Sequence, residues 1–386
     1  MVNEFSFGLA TDIRFGKDSV ASIGEIAMEY GAKKVLLVAD KGIRGTGLPS
    51  RIRRYLEDVG IACVDFDKIV PNPRISDCEE GARLGLEEQV NLVVAVGGGS
   101  SIDTSKAIAG MIGHKTADFG VIQFPNAYTC DPCPLIAVPT TAGTGSEVTT
   151  CGVITNGQTH EKVYCYDIKC APTVALCDPA VLMGLPASIA AATGIDALTH
   201  AIEGYVNTCT NPVTEALGLY AVKKISRHFR KYIFDRDIES CSEIMVGSML
   251  AGLSFGYSDT AAVHSLAETL GGRYDTPHGV ANAIFLADVC EYNIPANVPK
   301  YVDIARAMGV TGQGLTDRQI AQAGVDEIRR LVADVRIPKL SELPGIDPED
   351  FDLLAQKCVT HVSNPDNPII LTKEEFRYFL DKAYNA

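Results

Sequence analysis

The sequence predicts an α/β N-terminal half built on a parallel sheet and an all-α C-terminal half. Three observations predict it. Strand and helix signals alternate from residue 34 to residue 138. An apolar run empties directly into Gly97-Gly98-Gly99. Beyond about residue 185 the apolar residues recur with helical period. Alternation of this kind argues for a mostly parallel sheet with helices on both faces. We place the domains at 1–185 and 186–386.

The elements follow in order. Residues 34–39 form an apolar run closed by Asp40, a strand. Residues 47–59 carry helical periodicity, and 61–66 read as a strand. A helix is expected over 76–89, with Ser76 or Asp77 near its cap. Residues 91–96 are a strand, 101–112 a helix and 135–138 another strand. Residues 176–178 read as the last strand edge. Amphipathic helices are then expected over 187–206, 212–229, 239–255, 261–270, 298–307, 317–335 and 373–383. No internal repeat of solenoid period is present.

Composition excludes several classes of function. The 386 residues are 46% hydrophobic and lack low-complexity tracts, which is ordinary globular composition and too much chain for one small core. The net charge is −14, and no run of Lys and Arg offers a surface for phosphates. Nucleic acid and anionic membranes are therefore not expected partners. A cofactor with a few phosphates remains compatible, because backbone N–H groups can hold it locally. The first eight residues lack a basic region followed by an apolar stretch, and runs such as 92–96 are far short of a membrane span. The expected location is the cytoplasm. The twelve cysteines are scattered, mostly in apolar segments, and read as reduced, buried small hydrophobes. Cys130 and Cys133 form a C-x-x-C pair, but no second pair follows at zinc-ribbon spacing.

The strand into Gly97-Gly98-Gly99-Ser100 and the helix after it carry the first chemical signal. Glycines let a backbone approach a phosphate closely. A helix N-terminus adds unpaired N–H groups and a favourable dipole. The same pattern also serves as a tight turn in many α/β proteins, and it is neither G-x-G-x-x-G nor a P-loop. Asp40, at the first strand's end, can accept hydrogen bonds from an adenosine ribose and would repel a 2′-phosphate. That favours NAD over NADP; an ordinary turn aspartate is the alternative.

The second signal is a set of metal-ligand residue types. Asp196 and His200 stand four apart, on one face of an expected helix. His264 follows in a helical stretch, and His278 in Thr276-Pro277-His278-Gly279. Three imidazoles and one carboxylate suit a first-row divalent metal with room for substrate. A lone histidine on an apolar face is more often a hydrogen-bonded core residue, so the spacing leaves both readings open.

Longer segments carry a resemblance. They are Gly97-Gly98-Gly99-Ser100-Ser101-Ile102-Asp103-Thr104-Ser105-Lys106, Pro139-Thr140-Thr141-Ala142-Gly143-Thr144-Gly145-Ser146-Glu147, Gly194-Ile195-Asp196-Ala197-Leu198-Thr199-His200-Ala201-Ile202-Glu203 and Pro277-His278-Gly279-Val280-Ala281-Asn282-Ala283. In content, order and spacing the chain resembles the iron-containing, group III alcohol dehydrogenases over nearly its whole length. The resemblance implies a Rossmann-like domain and a helical domain, a dehydroquinate synthase-like fold, with the active site between them. It implies that Asp196, His200, His264 and His278 hold a divalent metal, usually ferrous iron and sometimes zinc. It implies NAD(H) along the α/β domain: Asp40 at the ribose, Gly97, Gly98, Gly99, Ser100 and Asp103 along the pyrophosphate and its helix. Thr140, Thr141 and Thr144 would hold the nicotinamide half, with Lys162 near the nucleotide. A homodimer or larger homo-oligomer is implied as well.

The implied reaction interconverts a small primary alcohol and its aldehyde, with the metal as main catalyst and no obligatory side-chain base. Departures from the family pattern leave the substrate open, lactaldehyde and propanediol being two reasonable choices. The family's second histidine, four residues after its third ligand, is Glu268 here. Tyr257-Ser258-Asp259-Thr260-Ala261 replaces Asn-x-Gly-x-Gly, Leu286-Ala287-Asp288 replaces Leu-Pro-His, and Asn367-Pro368-Ile369 replaces Asn-Pro-Arg. Glu268 either binds a second substrate hydroxyl or relays its proton, or else pairs with a cation such as Arg273. Rival functions are a hydroxyacid–oxoacid transhydrogenase with retained NAD, a dehydroquinate synthase-like lyase, and a non-catalytic nucleotide-binding or assembly protein. The scarcity of Lys and Arg over 187–204 argues against the lyase, which must hold a phosphorylated substrate.

Overall fold

The computed structural model describes residues 4–159 and 161–386. The chain divides into two compact units. One comprises Gly8–Thr141 and Ser146–Gly184. The other comprises Leu185–Ala386, Ala142–Gly145 and the described residues before Gly8.

The first unit is built on six parallel strands: β1 (Asp12–Phe15), β2 (Lys34–Val38), β3 (Ala62–Phe66), β4 (Leu92–Gly97), β5 (Leu135–Pro139) and β8 (Val174–Cys177). Their order is β1-β8-β5-β4-β2-β3. Helices α1 (Ile23–Glu29), α2 (Lys41–Gly45), α3 (Leu48–Glu57), α4 (Ile75–Glu87) and α5 (Gly99–Gly113) connect them. Strand side chains alternate between faces, and here both faces are buried. Val35, Leu37, Val94 and Val96 pack with Ile23, Ile26, Ile52 and Leu56. Leu36, Val38, Val93 and Ala95 pack with Ile102, Ile108 and Ile112. That is why β2 and β4 read as unbroken apolar runs rather than alternating ones.

The topology marks a binding crevice. From β2 the chain moves outward to β3, then returns past β2 to β4. Adjacent β2 and β4 thus form a topological switch point, where α/β sheets leave a crevice at the carboxyl ends of their strands. Asp40 and Gly97 stand at those two ends.

Two features differ from the sequence expectation. Strand β8 is not the sheet edge, because β1 pairs beside it. β1 is four residues long, and the Asp12 and Arg14 side chains are partly exposed, so it leaves little apolar pattern. An antiparallel hairpin, β6 (Cys151–Thr155) and β7 (Lys162–Tyr166), is added to the unit.

The second unit is helical: α6 (Ala187–Val206), α7 (Pro212–Phe234), α8 (Ile238–Phe255), α9 (Ala262–Tyr274), α10 (His278–Asn293), α11 (Val298–Ala307), α12 (Asp317–Asp334), α13 (Phe351–Val359) and α14 (Lys373–Tyr384). α10 and α13 escaped the periodicity reading. α10 buries residues around most of its circumference, from Ala281 and Asn282 to Phe285, Leu286 and Val289. A helix without a polar face shows no stripe to detect. Among the described residues no helix is long and apolar enough to cross a membrane.

Candidate functional site

The four candidate metal ligands meet inside the helical unit. α6 carries Asp196 and His200, α9 carries His264, and His278 is the first residue of α10. One donor atom from each lies within 4.8 Å of all the others. Gly279 permits this approach: a Cβ there would strike the Ala192 carbonyl of α6, with its carbon at 2.7 Å. The start of α10 can therefore lie against α6, which brings His278 Nε2 to 3.6 Å from Asp196 Oδ1.

Two of the three rings are each oriented by a partner outside the cluster. His200 stacks on Phe255, centroids 4.2 Å apart and planes 19° from parallel. His264 Nδ1 lies 2.5 Å from Glu203 Oε2. A carboxylate only accepts, so Nδ1 of His264 carries the proton and Nε2 points inward. Glu203 also accepts from the backbone N–H groups of Ala261 and Val263, at 2.9 and 2.7 Å. It therefore caps α9 and aims His264 with one carboxylate. Asn282, one turn after His278, donates to Asp196 Oδ1 at 2.7 Å.

Sequence reasoning did not single out Glu203 or Asn282 for a role. Their spacing held the signal. Glu203 follows Asp196 by seven and His200 by three, and Asn282 follows His278 by four. All are same-face helical intervals.

The electrostatics favour a cation. Burial pulls the His200 imidazolium pKa down to about 3, with Asp196 offsetting part of that. Burial acts likewise on His264, but the charge and hydrogen bond of Glu203 outweigh it and raise the pKa. For Asp196, burial opposes ionisation, and the three histidines outweigh it, so its pKa falls. The inward nitrogens of His264 and His200 face each other at 2.9 Å. His264 Nε2 offers a lone pair there, so the two atoms call for a shared proton or cation. Metal–ligand bonds of about 2.0–2.2 Å place donors on opposite sides of one ion no more than about 4.4 Å apart. The donors, all within 4.8 Å of one another, are compact enough to close on one ion with small side-chain adjustments. The donor set thus fits a divalent metal. His278 is the open member, its side chain 32% exposed.

Glu268 lies on α9 one turn beyond His264. Of the two readings, pairing with a nearby cation did not fall on Arg273: Arg273 binds Asp350 at 2.9 Å, and Glu268 Oε2 lies 3.2 Å from His361 Nε2. Five residues along a helix turn the side chain to roughly 140° away, so Glu268 and Arg273 leave α9 in different directions.

The nucleotide candidates belong mostly to the α/β unit. Asp40 caps α2 by accepting from Ile43 N at 3.0 Å, and its other oxygen lies 3.5 Å from Ser101 Oγ. Gly97 has φ +156°, and a Cβ on it would meet the Ser101 Cβ at 2.6 Å. Gly98 is the N-cap of α5 and makes no side-chain cap, so Gly99 and Ser100 open the helix with backbone donors toward the crevice. Thr141 lies against Gly98, and Thr140 follows β5 with its N–H on the Gly97 carbonyl at 3.0 Å. The Thr140 hydroxyl is buried without a hydrogen-bond partner among the described residues. These uncapped and unpartnered donors fit a pyrophosphate-bearing cofactor. Thr144 belongs to the helical unit. Asp103 faces the hairpin instead: one oxygen accepts from Ser146 Oγ, the other from Val153 N at 3.1 Å. Lys162 Nζ reaches Asn72 Oδ1 at 2.9 Å and Thr155 Oγ1 at 3.1 Å, tying the hairpin to the Pro71-Asn72-Pro73 turn.

Comparison with known proteins agrees with this geometry. The family described as iron-containing alcohol dehydrogenase matches residues 10–179, and its C-terminal family, the Fe-containing alcohol dehydrogenase family, matches 190–384. A 1,3-propanediol dehydrogenase of Klebsiella pneumoniae is 36% identical over 96% of both chains. An NAD-dependent methanol dehydrogenase of Bacillus methanolicus is 32% identical over 95% of this chain and 97% of its own. A crystal structure of a 1,3-propanediol oxidoreductase superposes with a TM-score of 0.94 at 35% identity, covering 99% of this chain and 100% of that one.

Proposed function

We propose that this chain, which belongs to the iron-containing alcohol dehydrogenase family and so interconverts alcohols and aldehydes with NAD(H) and a divalent metal, holds its metal on Asp196, His200, His264 and His278 and acts on a short primary alcohol with a second polar group. The observation that carries the reading is the convergence of three imidazoles and one carboxylate in one buried cluster, with one open side at His278. When bound, the metal supplies a Lewis acid for the carbonyl or alcohol oxygen, and NAD(H) supplies or accepts the hydride.

The chain's own residues do the rest. Glu203 keeps the His264 lone pair inward, and Phe255 shields His200 from water. Asn282 holds Asp196 by one oxygen. In the α/β unit, Gly97, Gly98, Gly99, Ser100, Thr140 and Thr141 supply donors and space for the dinucleotide, with Asp40 toward its adenosine ribose. In this reading Asp103 and Lys162 serve by fixing the hairpin beside that site, and Thr144 contributes from its own loop. No side chain is assigned as an obligatory base.

The same proposal includes cytoplasmic action as a homodimer or larger homo-oligomer. Among the described residues none of the twelve cysteines is in a disulfide, which fits a reducing compartment. Exposed Phe124, Tyr166 and Ile168 are apolar side chains that a partner copy would cover. Sedimentation velocity reads the assembly directly.

The test of catalysis is anaerobic NADH oxidation with a panel of short aldehydes, before and after chelation, then with ferrous iron returned. Turnover is expected to vanish with the metal and to recover with iron. Turnover unchanged by complete metal removal would sink the reading. Reduction of the aldehyde that needs no added NADH but does need a hydroxy compound as hydride donor would transfer it to a transhydrogenase.

A further inference from the structure

The β6–β7 hairpin covers a pair of thiols that neither the ligand cluster nor the nucleotide candidates use. Cys165 lies on β7 between half-buried Tyr164 and exposed Tyr166, and is itself fully buried. The strand runs into Asp167, whose carboxylate accepts from the backbone N–H groups of Tyr128 at 3.0 Å and Lys169 at 2.9 Å. That cap starts a single 3-10 turn, Ile168–Cys170, which carries the Cys170 side chain back over the strand. Its Sγ stands 3.6 Å from both the carbonyl oxygen and the Sγ of Cys165. The two sulfurs are thus in direct contact, in a core cluster with Met111, Tyr128 and Ile154. Tyr166, Ile168 and Lys169 around them are exposed, so the pair lies one layer beneath the surface.

The surroundings set this pair apart from the other buried cysteines. Lys106 on α5 donates to the Cys151 carbonyl at 2.6 Å, and the next carbonyl, that of Gly152, lies 3.6 Å from Cys165 Sγ. A cation close to a thiol favours the reactive thiolate. The hydrogen bond with Cys165, helped by the Lys106 charge and the Tyr128 hydroxyl, holds the Cys170 thiol below its ordinary range against the opposing effect of burial. The same hydrogen bond, together with burial, pushes Cys165 well up. Burial alone pushes Cys133, by contrast, up to about 12. One thiol of the pair is suited to attack and the other to keep its proton.

Gly152 links the pair to α5. A Cβ on it would lie 2.7 Å from Cys165 Sγ and 3.4 Å from the Asp103 carbonyl oxygen. The next residue, Val153, donates its N–H to Asp103 Oδ2 at 3.1 Å. Cys165, the hairpin and the first turns of α5 are packed in series. A disulfide requires the sulfurs to close to about 2.05 Å, and that movement draws Cys165 away from Gly152.

We propose that Cys165 and Cys170 form a redox modification site, closed to an intrachain disulfide by a peroxide, and that closure weakens dinucleotide binding at the start of α5. The Cys170 thiolate attacks one peroxide oxygen, the O–O bond breaks, and hydroxide leaves a sulfenic acid behind. The Cys165 sulfur then displaces the hydroxyl from Cys170, forming the S–S bond. The two thiol protons leave with the two peroxide oxygens as two waters, so the sulfurs are oxidised and the peroxide reduced. A transient, redox-sensing disulfide is the kind a reducing compartment permits. The effect on NADH rests on the placement of the dinucleotide proposed above; the bond itself does not.

The experiment uses wild type, Cys165→Ser and Cys170→Ser loaded with zinc, which has no redox chemistry of its own. Each is treated with hydrogen peroxide, blocked with iodoacetamide, digested with trypsin and mapped by mass spectrometry. Trypsin cleaves after Lys169, so the bond should join two peptides in wild type, and dithiothreitol should separate them. Cys165→Ser should stop at a Cys170 sulfenic acid that dimedone traps. NADH titration followed by fluorescence should show about tenfold weaker binding to oxidised wild type, as loss of one hydrogen bond to a carboxylate implies, with recovery on reduction. Cys170→Ser cannot form the bond and should keep the affinity of its untreated form. Free thiols at 165 and 170 under peroxide that oxidises exposed Cys130 and Cys209 overturn the site. A joined pair with unchanged NADH affinity overturns its coupling to α5. Where a serine variant does not fold, oxidised and re-reduced wild type decide both points. If reduced wild type binds no NADH, the dinucleotide reading fails by itself, and the peptide map still decides the disulfide.

Discussion

Two buried polar clusters, one in each unit, are assembled from similar groups and end in opposite states. In the α/β unit Lys106 is 1% exposed, and its ammonium donates to Thr149 Oγ1 at 2.8 Å and the Cys151 carbonyl at 2.6 Å, with Asp103 Oδ1 at 3.7 Å. Asp103 in turn holds Ser146 and Val153. Donors meet acceptors and the charges oppose. In the helical unit two imidazole nitrogens face each other at 2.9 Å, and Asn282 Oδ1 is buried without a hydrogen-bond partner among the described residues. Buried polar groups are costly unless satisfied. The first cluster is satisfied by its own chain and is architecture. The second requires something the chain does not supply, and that requirement is what marks a binding site.

The sharpest way to break this comparison is to remove one member from each. Lys106→Met strips the ammonium from beside half-buried Asp103 and removes its hydrogen bonds to Thr149 Oγ1 and the Cys151 carbonyl. We expect a loss of about 3–5 kcal/mol of unfolding free energy, with metal content per folded molecule unchanged. His278→Ala removes a partly exposed side chain from the other cluster. It should cost little stability in metal-free protein while abolishing stoichiometric metal binding. Urea unfolding and metal analysis on the two variants read both. If Lys106→Met is stable, or if His278→Ala retains its metal, the division into architecture and site fails.

A smaller effect concerns a carboxyl beside the satisfied cluster. Glu147 is 3% exposed, and burial raises its pKa from 4.5 to about 7, against weaker opposition from a backbone hydrogen bond and Lys106. The fold therefore prefers the protonated acid. Its contribution to stability is complete below the unfolded value of 4.5 and is lost as pH rises through the folded value near 7. The loss is on the order of 3 kcal/mol by the top of that window. Glu147→Gln cannot ionise. Its advantage over wild type in urea unfolding should grow between pH 4.5 and 8 and then level off. Parallel stability curves for the two proteins would show that Glu147 does not titrate across this range.

The sequence made different parts of the molecule legible to different degrees, for physical reasons. β2 and β4 declared themselves because they are buried on both faces and follow glycine or precede it. The four candidate ligands could be named because histidines are few and Asp196 and His200 share a helical face. α10 was hidden by its own burial, since a helix without a polar side has no stripe. β1 was hidden because it is short and on the edge. The partner of Glu268 was not legible at all. His361 is 93 residues away in sequence, and only the packing of α13 beside α9 brings it back. Local periodicity could rule on Arg273, five residues along the same helix, but could not supply the distant imidazole.

Glu203 sharpens the comparison from inside the helical unit, because it is a carboxylate beside the ligand cluster that behaves like the satisfied cluster. It takes two backbone N–H groups at the start of α9 and the Nδ1 proton of His264. It fixes a ligand without being one. Partners of this kind affect metal affinity by about 10- to 100-fold. Glu203→Gln retains the shape and one acceptor oxygen but loses the charge that holds His264 in its inward-facing tautomer. Metal affinity, measured by competition with a chromophoric chelator, should weaken by that factor. The melting temperature of the metal-free protein should fall only by what a damaged helix cap costs, about 1 kcal/mol in stability. The two readouts separate the roles. A stability loss with unchanged metal affinity would make Glu203 a cap alone, and the tautomer of His264 would then be set by the metal rather than by the fold.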